Sequence, residues 1–216
     1  MASTSPPTSP KRDGVNSSAK SKLTRKRILD AAAEALSTRG YAGMRLSDVA
    51  IAAELRAPAI YYYFDSREDL IEEVMWAGIA DMRDKLSATI DDLPLGTEPM
   101  DKILAAVDLH LRHELEISAY TTAAIRNAGQ IPKELRTRQL AAEAEYGRIW
   151  QSILSEARDA GVIRSDLDPY MCQMFVMGSL NWAAEWWKPR RGSIDKVVDN
   201  AQAFVRSALS PHQAEL

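Results

Sequence analysis

Apolar residues recur along this chain at the three-to-four spacing of amphipathic helices, in segments divided by glycine, proline and short acidic turns. From Leu23 to Thr38, Ile28, Ala32, Ala35 and Leu36 share one face, and Gly40 is placed to end that helix in the left-handed conformation. A short helix over 45–53 buries Leu46, Val49, Ala50 and Ala53. After a break at Glu54-Leu55-Arg56, a third helix runs over 57–64, with Pro58 in a first turn where a missing N–H costs nothing. Asp65-Ser66-Arg67-Glu68-Asp69 reads as an N-cap with acids behind it, opening a fourth helix to about Ile90. The linker 91–99 holds Pro94, Gly96 and Pro99. The fifth helix spans 100–116 and the sixth 118–127; Pro132 starts a seventh to Ala160; Pro169 opens an eighth to Trp187; the ninth covers 193–209. No strand and no repeat is read. The pattern predicts an all-α protein, a three-helix helix-turn-helix unit followed by a six-helix domain.

Composition narrows this picture. The chain has 216 residues, 46% hydrophobic and 26% charged, an ordinary globular balance that excludes collagen, disulfide scaffolds and wholesale disorder. Residues 1–20 have almost no large apolar side chains and read as a flexible basic arm, and 211–216 as a tail. The domains are therefore expected at 21–66 and 67–210. The single Cys172 has no partner for an internal disulfide, which suits a reducing cytoplasm. No stretch reaches the roughly 18 uncharged apolar residues of a membrane span, and the N-terminus lacks a signal-peptide core. A cytoplasmic protein without membrane contact is expected.

The charge is asymmetric. Up to Arg67, eleven lysines and arginines face six acids, a balance of +5; beyond it 16 basic residues face 24 acids, a balance of −8. A basic head on an acidic body suits a protein whose head alone meets a polyanion. In the head, Ala57, Pro58 and Ala59 expose small groups at the start of the third helix, as entry into a major groove requires. Tyr61, Tyr62 and Tyr63 cannot all point inward, and their hydroxyls can bond phosphate oxygens. Packing is the competing role, and Tyr61 can combine the two. Arg67 lies at a positive helix end that suits a phosphate. Lys22, Arg25 and Lys26 flank the first helix, and the arm before them can follow the DNA backbone or minor groove. With no Asn, Gln or Lys on residues 57–63, sequence readout falls to Arg45, Ser47, Arg56 and DNA shape.

The run Arg45-Leu46-Ser47-Asp48-Val49-Ala50 through Ile60-Tyr61-Tyr62-Tyr63-Phe64-Asp65-Ser66-Arg67-Glu68-Asp69-Leu70 resembles the DNA-binding signature of the TetR family of bacterial transcriptional repressors. Val49-Ala50, Ala53, Ile60-Tyr61, Phe64, Ser66, Glu68 and Leu70 hold the matching positions. The family's turn glycine is Glu54 here, its capping serine Arg56, its lysine before the fourth helix Arg67, and its threonine at the second helix Arg45. Without glycine, the turn must form at a residue that resists positive φ. Arg164-Ser165-Asp166-Leu167-Asp168 and Trp186-Trp187-Lys188-Pro189 resemble a subgroup of these repressors, several of which respond to acyl-CoA thioesters from lipid or steroid breakdown. The resemblance implies a homodimeric repressor released from a palindromic double-stranded operator by an apolar or lipid-derived small molecule.

Three readings complete the expectations. An apolar effector pocket is placed between the fourth and eighth helices, lined by Trp76, Ile79, Leu104, Val107, His110, Leu111, Tyr146, Trp150, Ile153, Met174, Gly178, Asn181 and Trp182, although any one of these can be plain core. The eighth helix is apolar nearly all round and needs cover on both sides. Val176, Met177, Leu180 and Trp187 with Val197, Val198, Ala201, Phe204 and Val205 are read as a homodimer interface, a four-helix bundle on a two-fold axis. No cofactor is expected: there is no Gly-rich phosphate loop, and His110 and His113 lack the zinc-protease order. A helical enzyme is disfavoured because no nucleophile–base–orienter set is visible, while a protein-interaction module would use the Trp-rich eighth helix.

Overall fold

The computed structural model of the protein describes residues 13–211, which contain no strand. Its helices are α1 (Asp13–Gly43), α2 (Leu46–Ala52), α3 (Ala57–Ile60), α4 (Arg67–Asp91), α5 (Pro99–Arg112), α6 (Ala119–Asn127), α7 (Thr137–Asp159), α8 (Pro169–Asn181), α9 (Ala183–Trp186) and α10 (Ile194–Leu209). Part of the expected arm, 1–12, and most of the expected tail, 212–216, lie outside the described residues. Residues 13–20, by contrast, are helical, so α1 begins well before the apolar face that marks it in the sequence. Gly40 does take a left-handed φ of 72°, yet one further turn follows it to Gly43. The result is a kink rather than an end.

Side-chain caps set several starts. Ser66, Ser118, Asp168 and Ser193 each accept a hydrogen bond from the amide three residues on, at the heads of α4, α6, α8 and α10. Tertiary contacts move other boundaries. The seventh helix starts at Thr137, not Pro132, because Arg136 holds the preceding loop by donating to the Ala128 carbonyl and to Glu143. The eighth stops at Asn181, and α9 and an extended Trp187 follow. The fifth gives way at His113 to a π-type turn over His113–Ile117.

The turn between α2 and α3 answers the question raised by the missing glycine. Leu55 N–H bonds the Ala50 carbonyl at 2.8 Å and Glu54 N–H that of Ile51 at 3.0 Å, the paired bonds of a Schellman motif. Glu54 itself takes φ 58°, the single left-handed residue other than glycine among those described. The turn accepts a strain of about 1–2 kcal/mol rather than changing shape.

Two apolar clusters organise the chain. One joins Ile28 and Leu36 of α1, Val49 of α2 and Ile60 of α3 to Leu70, Ile71 and Val74 of α4 and Ala123 and Ala124 of α6. The other gathers Met82 and Leu86 of α4, Val107 and Leu111 of α5, Trp150 and Leu154 of α7, Val176 and Leu180 of α8, and Val198 and Val205 of α10. Each fully buried aliphatic side chain contributes about 1.5–3 kcal/mol. Because α4 and α6 enter the head's cluster, the core runs on past residue 66. Movement of either helix is felt in the head.

Candidate nucleic-acid interface and ligand cavity

The turn through Glu54 sets α3 against α2 so that one face carries Arg45, Ser47, Arg56, Pro58, Tyr61 and Tyr62, all exposed. Tyr62 is 81% exposed and Tyr61 57%, while Tyr63 packs beneath them, its ring edge-on to Tyr62 at 5.1 Å. Ala57 and Ala59 are half-buried, so only their small outer surfaces stand between this face and solvent. Among the described residues no acid pairs with Arg45 or Arg56. The ordered helix α3 is a single turn, shorter than the sequence predicts, and Tyr61–Tyr63 continue it as hydrogen-bonded turns.

Two expected phosphate contacts are corrected by their surroundings. Arg25 donates both guanidinium arms to Glu73 and stacks over Phe64, 4.7 Å from the ring centre, tying α1 to α4. Arg67 lies over the Tyr41 ring at 4.6 Å. It donates to the carbonyls of Tyr41 and, at 3.2 Å, of Met44, closing the end of α1. Both side chains hold the head together, with Arg25 still partly exposed. Lys22 is exposed, and Lys26 is exposed with an ion pair to Asp30 at 2.7 Å. Such a surface pair is worth under about 1 kcal/mol and yields readily to a polyanion. We therefore expect Arg67→Ala to destabilise the fold by roughly 1–2 kcal/mol in chemical denaturation, from lost hydrogen bonds and ring stacking.

A cavity of about 370 Å³ opens between α4, α5, α6, α7 and α8. Of the expected lining, Ile79, His110, Tyr146, Met174, Gly178 and Asn181 surround it. The others are elsewhere, for identifiable reasons. Val107 and Trp150 are fully buried core, and Leu104 packs against it. Trp76 lies under the Arg138 guanidinium at 4.1 Å. Leu111 borders a separate groove beside α10, Ile153 a charged cleft with Arg83 and Glu145, and Trp182 a surface recess with Arg126 and Glu185. The wall that the sequence did not reveal is α6, which supplies Ala124, Ile125 and Ala128. Small apolar residues carry no signal of a binding role.

The polar end of this cavity is buried. His110 and Glu114, one turn apart, are 1% and 0% exposed, with Nε2 and Oε2 at 3.6 Å, and His110 Nδ1 meets the Tyr146 hydroxyl at 2.9 Å. Burial raises the Glu114 carboxyl above its usual range and the Tyr146 phenol likewise. His113 faces away, between Asp81 at 2.9 Å and the Thr121 hydroxyl at 3.1 Å, and burial lowers its tendency to protonate. The two histidines thus serve different networks.

The expected dimer face also divides. Val176, Leu180, Trp187, Val198 and Val205 are buried in their own chain's core, although Leu180, Trp187 and Val205 also border the groove beside α10. Met177 is half-buried beside the α4–α8 cavity. Val197 and Ala201 line the groove of about 410 Å³ between α8 and α10, whose rim is Phe204, 65% exposed, and Trp186. The outward stripe consists instead of Met171, Phe175, Trp182, Trp186 and Phe204, of which Phe175 is 79% exposed. Helical spacing alone does not show which side of a doubly apolar helix faces the chain's own core.

Comparison with known proteins agrees with this architecture. Residues 28–74 match the profile described as "Bacterial regulatory proteins, tetR family". Residues 96–209 match "Tetracyclin repressor-like, C-terminal domain". The HTH-type transcriptional repressor KstR2 of Rhodococcus jostii is 25% identical over 204 residues, covering 87% of this chain and 92% of that protein. The Fatty acid metabolism regulator protein of Bacillus subtilis is 23% identical over 189 residues, covering 88% and 91%. In fold, the chain resembles the crystal structure of AibR in complex with isovaleryl coenzyme A and operator DNA, with a TM-score of 0.75 at 20% identity over 84% of this chain and 97% of that one. KstR2 of Mycobacterium tuberculosis gives 0.73 at 18% identity over 87% and 95%. No helix among the described residues is long and apolar enough to cross a membrane. With the exposed α2–α3 face in one matched region and the cavity largely in the other, the chain belongs to the tetR family of bacterial transcriptional regulators.

Proposed function

We propose that the protein is a transcriptional repressor that binds a palindromic operator as a homodimer and is released when an apolar or acyl-CoA-like molecule enters the α4–α8 cavity. The observation that carries this reading is the α2–α3 face: Arg45 and Arg56 are exposed without acidic partners beside Ser47, Tyr61 and Tyr62, within the matched DNA-binding segment. Relatives named as repressors, and a neighbour solved with isovaleryl coenzyme A and operator DNA, support a ligand-responsive repressor. On this reading the chain is a regulator and not an enzyme.

The route from cavity to head is short. Helix α6 lines the cavity with Ala124, Ile125 and Ala128, and between them Arg126 and Asn127 grip the end of α1. Arg126 donates to the Ser37 carbonyl at 2.5 Å, and Asn127 accepts from Tyr41 N–H at 2.6 Å and donates to the Leu36 carbonyl at 3.1 Å. An effector that fits one position of α6 better than another biases where α1, and with it α2–α3, sits.

The test is salt-dependent binding to duplex DNA. Arg56→Ala is expected to weaken binding and shallow the slope of log affinity against log salt by about one unit, as loss of one phosphate contact does. Arg67→Ala should leave that slope unchanged. Equal slopes for the parent protein and Arg56→Ala overturn the assigned face.

For the dimer, the outward stripe on α8 and α10 is the surface that needs cover. Phe175→Glu with Phe204→Glu is expected to give a monomer in sedimentation at micromolar concentration, with operator affinity falling in parallel. A dimer that survives both substitutions places the interface elsewhere.

A further inference from the structure

The buried polar end of the cavity has a surplus of hydrogen-bond donors. Tyr146, His110 and Glu114 lie in that order, the hydroxyl bonded to Nδ1 at 2.9 Å and the carboxyl facing Nε2 at 3.6 Å, beyond hydrogen-bond length. With the proton that burial favours on Glu114, the three side chains hold three polar hydrogens. The 2.9 Å contact uses one, and closing the 3.6 Å gap would use a second. The third is then left at an end of the row, on Glu114 or on Tyr146.

Among the described residues nothing accepts it. Both Glu114 oxygens and His110 Nε2 lack a hydrogen-bond partner, and the Trp150 indole is directed at the Tyr146 oxygen as a further donor. Of the remaining polar groups of the wall, Glu143 is held by Arg136 and Gln139, Gln173 donates to the Gly147 carbonyl at 3.0 Å, and Asn181 stands at the far end of α8. Glu114 does not border the cavity, whereas His110 and Tyr146 do. A hydrogen stranded on Glu114 therefore stays stranded, while one on Tyr146 can be met from the cavity. The π-type turn at His113–Ile117, an uncommon geometry that often marks functional sites, carries Glu114.

We propose that the effector presents a hydrogen-bond acceptor of the carbonyl type to the Tyr146 hydroxyl, with His110 and Glu114 as positioning residues that turn the hydroxyl hydrogen toward the cavity. With the 3.6 Å gap closed, Glu114 donates to His110 Nε2, His110 Nδ1–H donates to the tyrosine oxygen, and the tyrosine hydroxyl donates to the carbonyl. Each bond polarises the next. The apolar remainder, Ile79, Met82, Met174 and Met177, takes the hydrocarbon body. The inference rests on the cavity being the effector site and names the chemistry of the effector's polar end.

A matched pair of probes tests it: methyl pentyl ketone and its isosteric alkene, in which a methylene replaces the carbonyl oxygen. Binding is read from the methyl resonances of Met82, Met174 and Met177 in the intact protein. The ketone should bind roughly tenfold more tightly than the alkene, the value of one neutral hydrogen bond at its upper end. Tyr146→Phe should bring the two to equal affinity without weakening the alkene. Glu114→Gln, which retains an N–H to donate to His110, should keep most of the preference. Equal binding of the pair by the parent protein, a preference that persists in Tyr146→Phe, or no shift of those methyls with either probe each overturns the proposal. Operator binding by Tyr146→Phe reads the regulatory function separately, because its DNA face is untouched.

Discussion

Replacing Asn127 by leucine is expected to cost about 3 kcal/mol of stability, since it strips partners from two backbone groups at the junction of α6 and α1. Asn127 is fully buried. Its oxygen receives Tyr41 N–H at 2.6 Å, and its amide donates to the carbonyls of Leu36 at 3.1 Å and Ala123 at 2.8 Å. Leucine matches the branching and none of the bonds. Tyr41 follows the Gly40 kink, where α1 cannot satisfy its own amides in the regular way, so the side chain of another helix does it. Urea denaturation gives the stability change directly. The same variant should blunt any effect of a cavity occupant on operator affinity, because the grip that carries the displacement of α6 to the head is gone. A loss below about 1 kcal/mol would show that these groups find other partners.

Gly78→Ala is expected to destabilise the protein by roughly 2 kcal/mol net, a steric cost of about 3 offset by about 1 of helix propensity. At Gly78, α4 and α6 are in close backbone contact. An added methyl would fall on the Tyr120 carbonyl and within 2.9 Å of Thr121 N, both backbone atoms that cannot swing aside. The approach is fixed from both sides, since Thr121 Oγ1 donates to the Gly78 carbonyl at 3.0 Å and the Ser118 hydroxyl caps the first turn of α6. Thermal or urea unfolding monitored by circular dichroism measures the change. A variant as stable as the parent would mean that α6 slides along α4 at little cost, which the coupling proposed here does not allow.

Local chemistry explains why much of the fold is legible in the chain. Ser66, Ser118, Asp168 and Ser193 announce helix starts because a short polar side chain can satisfy an amide that the helix leaves free. The α2–α3 turn is legible by resemblance even where glycine is missing, and the left-handed Glu54 shows that the turn shape outweighs the preference of its residue. What the sequence does not show is partnership. Arg25 and Arg67 read as free cations until Glu73, Tyr41 and Met44 are seen around them. Pro132 signals a helix start that Arg136 postpones through contacts with α6 and α7. On α8, Val176 and Leu180 are indistinguishable by spacing from Phe175, although they face opposite ways. Val107, Trp150 and Leu104, expected in the cavity lining, belong to the core, because a large side chain that lines a hole and one that fills it look alike in sequence. The α6 wall went unread because alanine marks neither.

The most direct measurement is a footprint of the full chain on the DNA flanking its own coding region, with and without an acyl-CoA thioester. We expect a protected stretch with two-fold symmetry, its half-site centres about 34–36 Å apart or a multiple of that. Protection should weaken in Arg56→Ala and be lost as the thioester is added. An absence of protection, or protection indifferent both to Arg56 and to the thioester, would contradict a repressor that reads DNA through α2–α3 and is released through the α4–α8 cavity.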